Sequence, residues 1–387
     1  MLQLQWNNAV EDIIDIEVIN SLRKYKNIVI FGAGESGGWV VHLLRHFNIE
    51  PKCYCDNYSD KWGKEKDGLR IFSFEDAIGK YRDAAVCIAS MWSEEIFKQI
   101  KSFDPAIAAR TWDLLTTMAW ETSELSYQSS EGVFIRDNLD KFEQLYNRLA
   151  DDISKNTLEG ILNYRLTRNK GYLKKIISSE NVYFDKTLIK NIPIDREIID
   201  GGTFDGDTVE KLINLVCVGE GKKVCLKIHC YEADEKNYNK LKENTLKKEW
   251  EKHSIVLHNA ALWNSSREII QFCGNGLSSK ICKNNDDIIK KYISEAIDDY
   301  QYENVGFIKM DIEGAEREAL NGGKKTICRD MPMLAICAYH LQDDLLVLPD
   351  TIDVISSDYL LYLRHYMYSS GDTILYGIPR LGVEWNG

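Results

Sequence analysis

Glu197-Ile198-Ile199-Asp200-Gly201-Gly202-Thr203-Phe204-Asp205-Gly206-Asp207-Thr208 decides the fold. A short apolar run ends on an acid and passes into a turn with glycines at 201, 202 and 206. Val209 to Val216 then carries apolar residues at helical spacing, and Asp207 or Thr208 suits the position that caps it. Strand, glycine turn and helix in that order mark the start of a parallel α/β sheet. Glycine lets such a turn close tightly and lets backbone approach a ligand.

Outward from this unit the pattern repeats. Val224–Tyr231 reads as a second strand ending at Glu232, and Glu235–Trp250 as a helix. Ile255-Val256-Leu257 is a third strand, Val305–Met310 a fourth ending at Asp311, and Met333–Tyr339 a fifth ending at His340. Tyr359–Tyr366 and Thr373–Ile378 flank Ser369-Ser370-Gly371-Asp372, which joins them as an antiparallel hairpin. Five parallel strands closed by such a hairpin is the layout of the class I methyltransferase fold.

Upstream, Asn27–Phe31 runs directly into Gly32-Ala33-Gly34-Glu35-Ser36-Gly37, and a helical stretch follows from Trp39 to Phe47. Lys52–Cys55 is a strand ending at Asp56, and Ala84–Ala89 is another. Gly32, Gly34 and Gly37 after a strand, with Asp56 some twenty residues on, meet the context of a dinucleotide fingerprint. The unit reads as cut to three or four strands, resembling the small nucleotide-sugar-binding domains beside sugar-modifying enzymes. A possible second nucleotide site at Gly32, Gly34, Gly37 and Asp56 stands against a scaffold that kept the turn without its ligand. Three segments are expected: a Rossmann-like domain over 1–112, a helical connector over 113–195 and the larger α/β domain over 196–387. Residues 1–20 read as an amphipathic lead-in helix.

The chain has 387 residues, enough for two domains, with 44% hydrophobic and 28% charged residues. A formal net charge of -12 disfavours nucleic acid and anionic membrane surfaces as partners. No apolar run reaches the roughly 18 residues of a membrane span, no signal peptide is evident, and a cytoplasmic location is expected. Ten cysteines are scattered, several in strand-like runs, so a disulfide framework is not expected. The Cys53–Cys55 pair lacks a second pair at zinc spacing and reads as strand.

S-adenosylmethionine would find three things in the C-terminal half. Its amino-acid end suits the backbone of a glycine turn, here Asp200, Gly201, Gly202, Thr203, Gly206, Asp207 and Thr208. Its ribose diol suits an acid at the end of the second strand, Glu232. Its adenine suits a slot bordered by Asn259, Ala260 and Ala261. An acid before the first glycine is unfavourable for a pyrophosphate but tolerable for an ammonium and a sulfonium. That contrast favours the methyl donor over NAD.

Phe307-Ile308-Lys309-Met310-Asp311-Ile312-Glu313-Gly314-Ala315-Glu316 gathers three acids and a lysine at the end of the fourth strand. With Asp200–Thr208 and with Tyr231-Glu232-Ala233-Asp234, this block resembles the FkbM family of methyltransferases. Looser matches are Ile297-Asp298-Asp299, Tyr339-His340-Leu341 and Asp344-Leu345, and the likeness covers about residues 180–380. It implies O-methylation of a hydroxyl, often on a sugar or a polyketide-type product, with Glu232, Ala233 and Asp311 beside the donor.

A general base must take the hydroxyl proton; His340, Asp311, Glu313 and Glu316 are candidates. His340 has a suitable ordinary pKa, and Asp311 fits a positioning role better. The carboxylates would suit Mg²⁺, but Glu313 and Glu316 at one helix start read more simply as a charge pair, so no metal is expected. Ser278 and Ser279 lie in a loop that could reach the site; Tyr183 and Phe184 either wall it or pack in the core. Acceptor recognition is assigned to the connector and to residues 262–304. Two other readings compete: a dinucleotide-dependent oxidoreductase or epimerase centred on Gly32–Gly37, and a non-catalytic nucleotide-sensing module. The first lacks a Tyr-x-x-x-Lys pair in its domain.

Overall fold

The computed structural model describes residues 2–6, 16–90, 92–111, 125–167, 171–189, 192–217, 224–246, 250–273, 280–281, 289–369 and 371–380. Ser278, Ser279 and the start of the lead-in helix lie outside these residues. The chain divides into two compact units. One comprises residues 4–138 and 162–170; the other comprises 1–3, 139–161 and 171–387. The stretch expected as a separate connector is therefore shared between the two.

The first unit runs α1 (Ile16–Leu22), β1 (Ile28–Phe31), α2 (Glu35–His46), β2 (Cys53–Cys55), β3 (Glu65–Lys66), β4 (Leu69–Phe72), α3 (Phe74–Lys80), β5 (Ala85–Ile88), α4 (Ser93–Phe103), β6 (Ala108–Thr111) and α5 (Leu125–Asp137). Its strands form one six-stranded sheet in the order β3-β4-β2-β1-β5-β6. Three or four strands are expected from the sequence; the sheet has more because β3 and β4 make an antiparallel hairpin and β6 adds an edge. Alternate residues of β1 serve two cores. Val29 and Phe31 pack with Phe74, Ile96 and Ile100, while Ile28 and Ile30 pack with Val40, Val41 and Leu44. Helices on both faces explain why these strands read as unbroken apolar runs. Cys53 and Cys55 are buried free thiols within β2, in line with the strand reading.

Asp56 closes the glycine turn of this unit. Its carboxylate accepts from the Ala33 N–H at 2.8 Å, the Tyr58 N–H at 2.9 Å and Lys61 Nζ at 2.8 Å. Burial opposes its charge, yet Lys61 and these N–H donors hold it below its ordinary value. Asp56→Ala leaves the buried Ala33 N–H unsatisfied and is expected to cost about 2 kcal/mol. Because the folded carboxyl is the more acidic, Asp56 stabilises fully above the unfolded carboxylate range. That contribution fades as pH falls through the folded value. Thermal melting from pH 7 to pH 3 checks this: the wild-type advantage over Asp56→Ala should shrink at the acid end.

The second unit contains α6 (Leu139–Arg148), the first part of α7 (Asp152–Thr167) and α8 (Gly171–Lys174). Its α/β core follows as β7 (Glu197–Gly201), α9 (Asp207–Cys217), β8 (Lys227–Tyr231), α10 (Glu235–Asn244) and β9 (Ser254–His258). An insertion holds β10 (Ala261–Leu262), β11 (Ile269–Cys273), β12 (Lys280–Ile281) and β13 (Ile289–Glu295). The core resumes with β14 (Val305–Met310), α11 (Glu316–Gly322), α12 (Lys324–Asp330), β15 (Met333–Cys337), α13 (Asp344–Ile355), β16 (Tyr359–His365) and β17 (Thr373–Pro379).

Seven strands form the main sheet in the order β16-β17-β15-β14-β7-β8-β9. β17 is antiparallel to both its neighbours, and the other neighbouring pairs are parallel. The expected layout is thus present. β10–β13 form a second, four-stranded sheet that the sequence reading does not foresee. Ion pairs fasten α6 to α13 and the turn between α6 and α7 to β16. Arg148 meets Asp353 at 2.5 Å, and Arg364 meets Asp151 at 2.7 Å. Strand order reverses beside β7, so the carboxyl ends of β7, β8, β9 and β14 open onto one cleft.

Candidate active site

A cavity lies at those strand ends. It is lined by Gly202 and Phe204 after β7, Tyr231 to Asp234 at the end of β8, and Ala260 to Leu262 beyond β9. Asp311 to Glu313 after β14, Asn237 on α10 and Tyr292 on β13 complete most of the wall.

The glycine turn is set by contact. Gly202 has φ +73°, and a Cβ there would meet the Asp311 carbonyl oxygen at 1.8 Å. Gly202 and Thr203 donate their N–H groups to the Tyr231 carbonyl at 2.9 and 3.1 Å. Gly206, at φ +94°, lies against Trp250, whose ring a Cβ would meet at 2.4 Å. The turn is thereby pinned to β8 and β14, the two strands that flank β7.

Glu232 accepts from the Phe204 N–H at 2.9 Å and from the Asp234 N–H at 2.8 Å, one bond to each carboxyl oxygen. Each oxygen keeps acceptor capacity, and the residue lines the cavity. Burial raises its pKa, against the pull of these two donors. Asp234 caps α10 by accepting from the Lys236 and Asn237 N–H groups. Its other oxygen accepts from Lys290 Nζ at 2.6 Å and from the Tyr292 hydroxyl at 3.2 Å, which ties the small sheet to the cavity wall.

Asp200 does not line the cavity. It is buried, 3.0 Å from Lys309 Nζ, its register partner on β14. Lys309 also donates to the carbonyls of Gly201 at 3.0 Å and Gly202 at 2.7 Å. Burial raises Asp200 against the Lys309 charge; the Lys309 ammonium is held above its usual range by Asp200 and Asp311 despite its own burial. Asp200 therefore supports the turn from beneath.

Six other expected donor contacts also lie off the wall, Gly201 and Gly206 among them. Thr203 is buried and bonds the Asp200 carbonyl. Asp207 accepts from the Thr208 N–H at the start of α9, and Thr208 is buried. Asn259 donates its side-chain amide to the Glu232 carbonyl at 2.9 Å. Gly202, Glu232, Ala233, Ala260 and Asp311 do meet at the cavity. Tyr231, Asn237, Leu262 and Tyr292 join them without having been singled out as ligand contacts.

Beyond β14 lies an acid–histidine cluster. Asp311 accepts from the Tyr183 hydroxyl at 2.8 Å and the Tyr339 hydroxyl at 3.2 Å. His340 Nε2 lies 3.3 Å from Asp311 and 3.7 Å from Glu313, while Nδ1 lies 2.9 Å from Glu316. Burial disfavours charge on His340, but Glu316 and Asp311 raise its pKa well above the ordinary histidine value. Burial likewise opposes ionisation of Asp311, but His340 and Lys309 hold it well below the usual carboxylate range. Among these carboxylates the charged imidazolium is favoured, with Nε2 toward Asp311 and Glu313 and Nδ1 toward Glu316. That environment counts against the expected role of His340 as proton acceptor.

Glu313 differs from its neighbours. Burial, reinforced by Asp311 and Glu316, pushes its carboxyl up to about 7 despite the His340 charge. Its backbone is left-handed at φ +58°, followed by Gly314 at φ +91°, and α11 begins only at Glu316. The expected charge pair at one helix start therefore does not form. Glu313 faces the cavity, and Glu316 is fully buried under His340. A β-carbon in the left-handed region is strained, and such strain gathers at functional sites. Tyr183 is nearly buried and supports Asp311, and Phe184 stacks on Phe307 in the core.

Among the described residues no group of three or more His, Cys, Asp and Glu side chains is arranged to hold a metal ion. Nor is any described helix long and apolar enough to cross a membrane. In the first unit, Asp56 is engaged by the turn itself and Lys66 Nζ donates to the Gly34 carbonyl. A Cβ at Gly32 or Gly37 would meet backbone oxygens at 2.5 and 2.0 Å, so packing alone requires those two glycines.

The seven-stranded order and the cleft at its carboxyl edge define a class I methyltransferase architecture. Residues 200–368 match the family model of the methyltransferase FkbM domain, and residues 24–106 match that of the C2185-like N-terminal domain. The chain carries an FkbM methyltransferase domain and is a methyltransferase. A crystal structure of methyltransferase FkbM from Methylobacillus flagellatus KT is similar over 96% of both chains, with 24% identity and a TM-score of 0.65. UDP-D-quinovosamine 4-dehydrogenase from Vibrio fischeri aligns with 22% of this chain and 77% of its own, at 21% identity and a TM-score of 0.20. Aeropyrum pernix fibrillarin, in complex with natively bound S-adenosyl-L-methionine, aligns over 50% of this chain and 71% of its own, at 10% identity and a TM-score of 0.31. No curated protein sequence matches.

Proposed function

We propose that this enzyme transfers a methyl group from S-adenosylmethionine to a hydroxyl of a sugar or glycan-related acceptor. The observation that carries the reading is the pairing, on one cavity, of a carboxylate with free acceptor capacity at Glu232 and a near-neutral carboxyl at Glu313.

The residues present fit the donor. Glu232 offers oxygens to a ribose diol, and Ala260, Ala261, Leu262 and Tyr292 make a slot for adenine. Gly202 brings backbone to the cavity without a side chain in the way. When bound, S-adenosylmethionine supplies a methyl group activated by the positive sulfur.

The protein's part is to place the acceptor in line and to remove a proton. Orientation can supply much of the acceleration. Alcohols are poorly acidic, so a base tuned near the working pH helps most. Glu313 has that tuning; His340 as imidazolium holds Asp311 ionised and turned toward the cleft. In this reading the tyrosines at 183 and 339 fix Asp311 as a positioning carboxylate.

The test is transfer of tritiated methyl from S-adenosylmethionine to a panel of neutral glycosides and nucleotide sugars. Product is located by mass and by the methoxy signal in NMR. Label arriving only on nitrogen or sulfur acceptors would contradict the reading.

A further inference from the structure

We propose that the charge of the methyl donor sets the protonation of Glu313. The sulfonium form drives this carboxyl to ionise, and the neutral thioether left after transfer lets it hold a proton again. The inference rests on the S-adenosylmethionine reading above.

Geometry carries it. The cavity crosses the sheet from β9 through β8 and β7 to β14. With ribose at Glu232 and adenine beside Ala260 and Tyr292, the sulfur end falls toward β14, where Glu313 lines the wall. The left-handed turn at Glu313 and Gly314 holds that carboxyl clear of α11 and at the cavity.

The groups that act on it are few. His340 lies 3.7 Å away, and Asp311, Glu316, Glu232 and the Tyr339 phenol also bear on it. One cation already serves several acids here: His340 is closer to Asp311 at 3.3 Å and to Glu316 at 2.9 Å than to Glu313. Glu313 is thus the acid left short of positive charge, and a second cation in the cleft would supply it. A unit charge within about 4–6 Å favours the ionised carboxyl strongly enough to carry it across neutral pH.

The protons balance over one turnover. Where Glu313 carries a proton, it gives that proton to solvent when the sulfonium form binds. Its carboxylate then receives the acceptor's hydroxyl proton as the oxygen–carbon bond forms and the carbon–sulfur bond breaks, with the electron pair remaining on sulfur. The products are the ether, the thioether and neutral Glu313. The arrangement arms the base only when donor is present.

Calorimetric titration at pH 7 in phosphate and in Tris reads the proton directly, because the observed heat differs by the buffer's ionisation enthalpy. S-adenosylmethionine should release about half a proton more per site than S-adenosylhomocysteine, since a carboxyl tuned near pH 7 starts half-protonated. The amino-acid end is common to both ligands and cancels. In Glu313→Gln the difference should vanish. In the unaltered enzyme, the affinity ratio of the two ligands should shift about tenfold toward S-adenosylmethionine between pH 6 and pH 8. Equal proton release, a flat ratio, or a difference that persists in Glu313→Gln would overturn the inference while leaving the donor site standing. If neither ligand binds, the S-adenosylmethionine reading fails first and the inference with it.

Discussion

Lys309→Met should destabilise the C-terminal unit by about 3–5 kcal/mol, the cost of stranding one partner of a buried ion pair. Both partners are almost wholly out of water, with Lys309 2% and Asp200 3% exposed. The ammonium serves three acceptors at once: the Asp200 carboxylate and the carbonyls of Gly201 and Gly202. Methionine fills the volume and supplies none of these bonds. Adding Asp200→Asn to Lys309→Met removes the stranded charge and should recover part of the loss. In the single variant, Asp200 without its cation has a folded pKa above its unfolded one. Its contribution is therefore least harmful below about pH 4 and most harmful once pH exceeds the folded value. Denaturant titration with hydrogen exchange on β7 and β14 resolves the effect from the N-terminal unit.

Gly202→Ala should weaken S-adenosylhomocysteine binding at least about a hundredfold, near 3 kcal/mol in free energy. A Cβ there lies 1.8 Å from the Asp311 carbonyl oxygen, a backbone atom that cannot swing aside. The φ of +73° adds strain for any residue with a β-carbon. Relief requires the turn to part from the end of β14. Those are the two segments that bring Gly202 and Asp311 to the same cavity, so the lesion should be far larger in binding than in the melting of the N-terminal unit. Gly34→Ala is the contrast, since open space surrounds that position. Calorimetry on both variants checks the pair.

The main sheet was legible because its strands are buried on both faces and so read as apolar runs between turn signals. Ile198-Ile199, Ile228 and Val305–Met310 show this well. Glu232 could be singled out because an acid at the end of the second strand has one obvious use in such folds. The small sheet was not legible. Its strands are short or polar, and β13 begins Ile289-Lys290-Lys291. Tyr292 accordingly reached the cavity unannounced.

The pairing of Asp200 with Lys309 depends on β14 lying beside β7, an adjacency that residue order along the chain does not display. The same holds for His340. Its residue type suggested a base, but the carboxylates that clamp it all come from Asp311 to Glu316, a segment set beside it because β14 pairs with β15. Glu313 was placed on a helix because Glu-x-x-Glu suits a first turn; the following glycine was the available sign of a left-handed bend. The hairpin of β3 and β4 was hidden by its polar Glu65-Lys66 edge.

The central claim is that the cleft holds the methyl donor through Glu232. Calorimetric titration with S-adenosylhomocysteine, on the unaltered protein and on Glu232→Ala, tests it most directly. Micromolar binding that Glu232→Ala abolishes is the predicted result. Absence of binding, or binding that Glu232→Ala leaves intact, would contradict it.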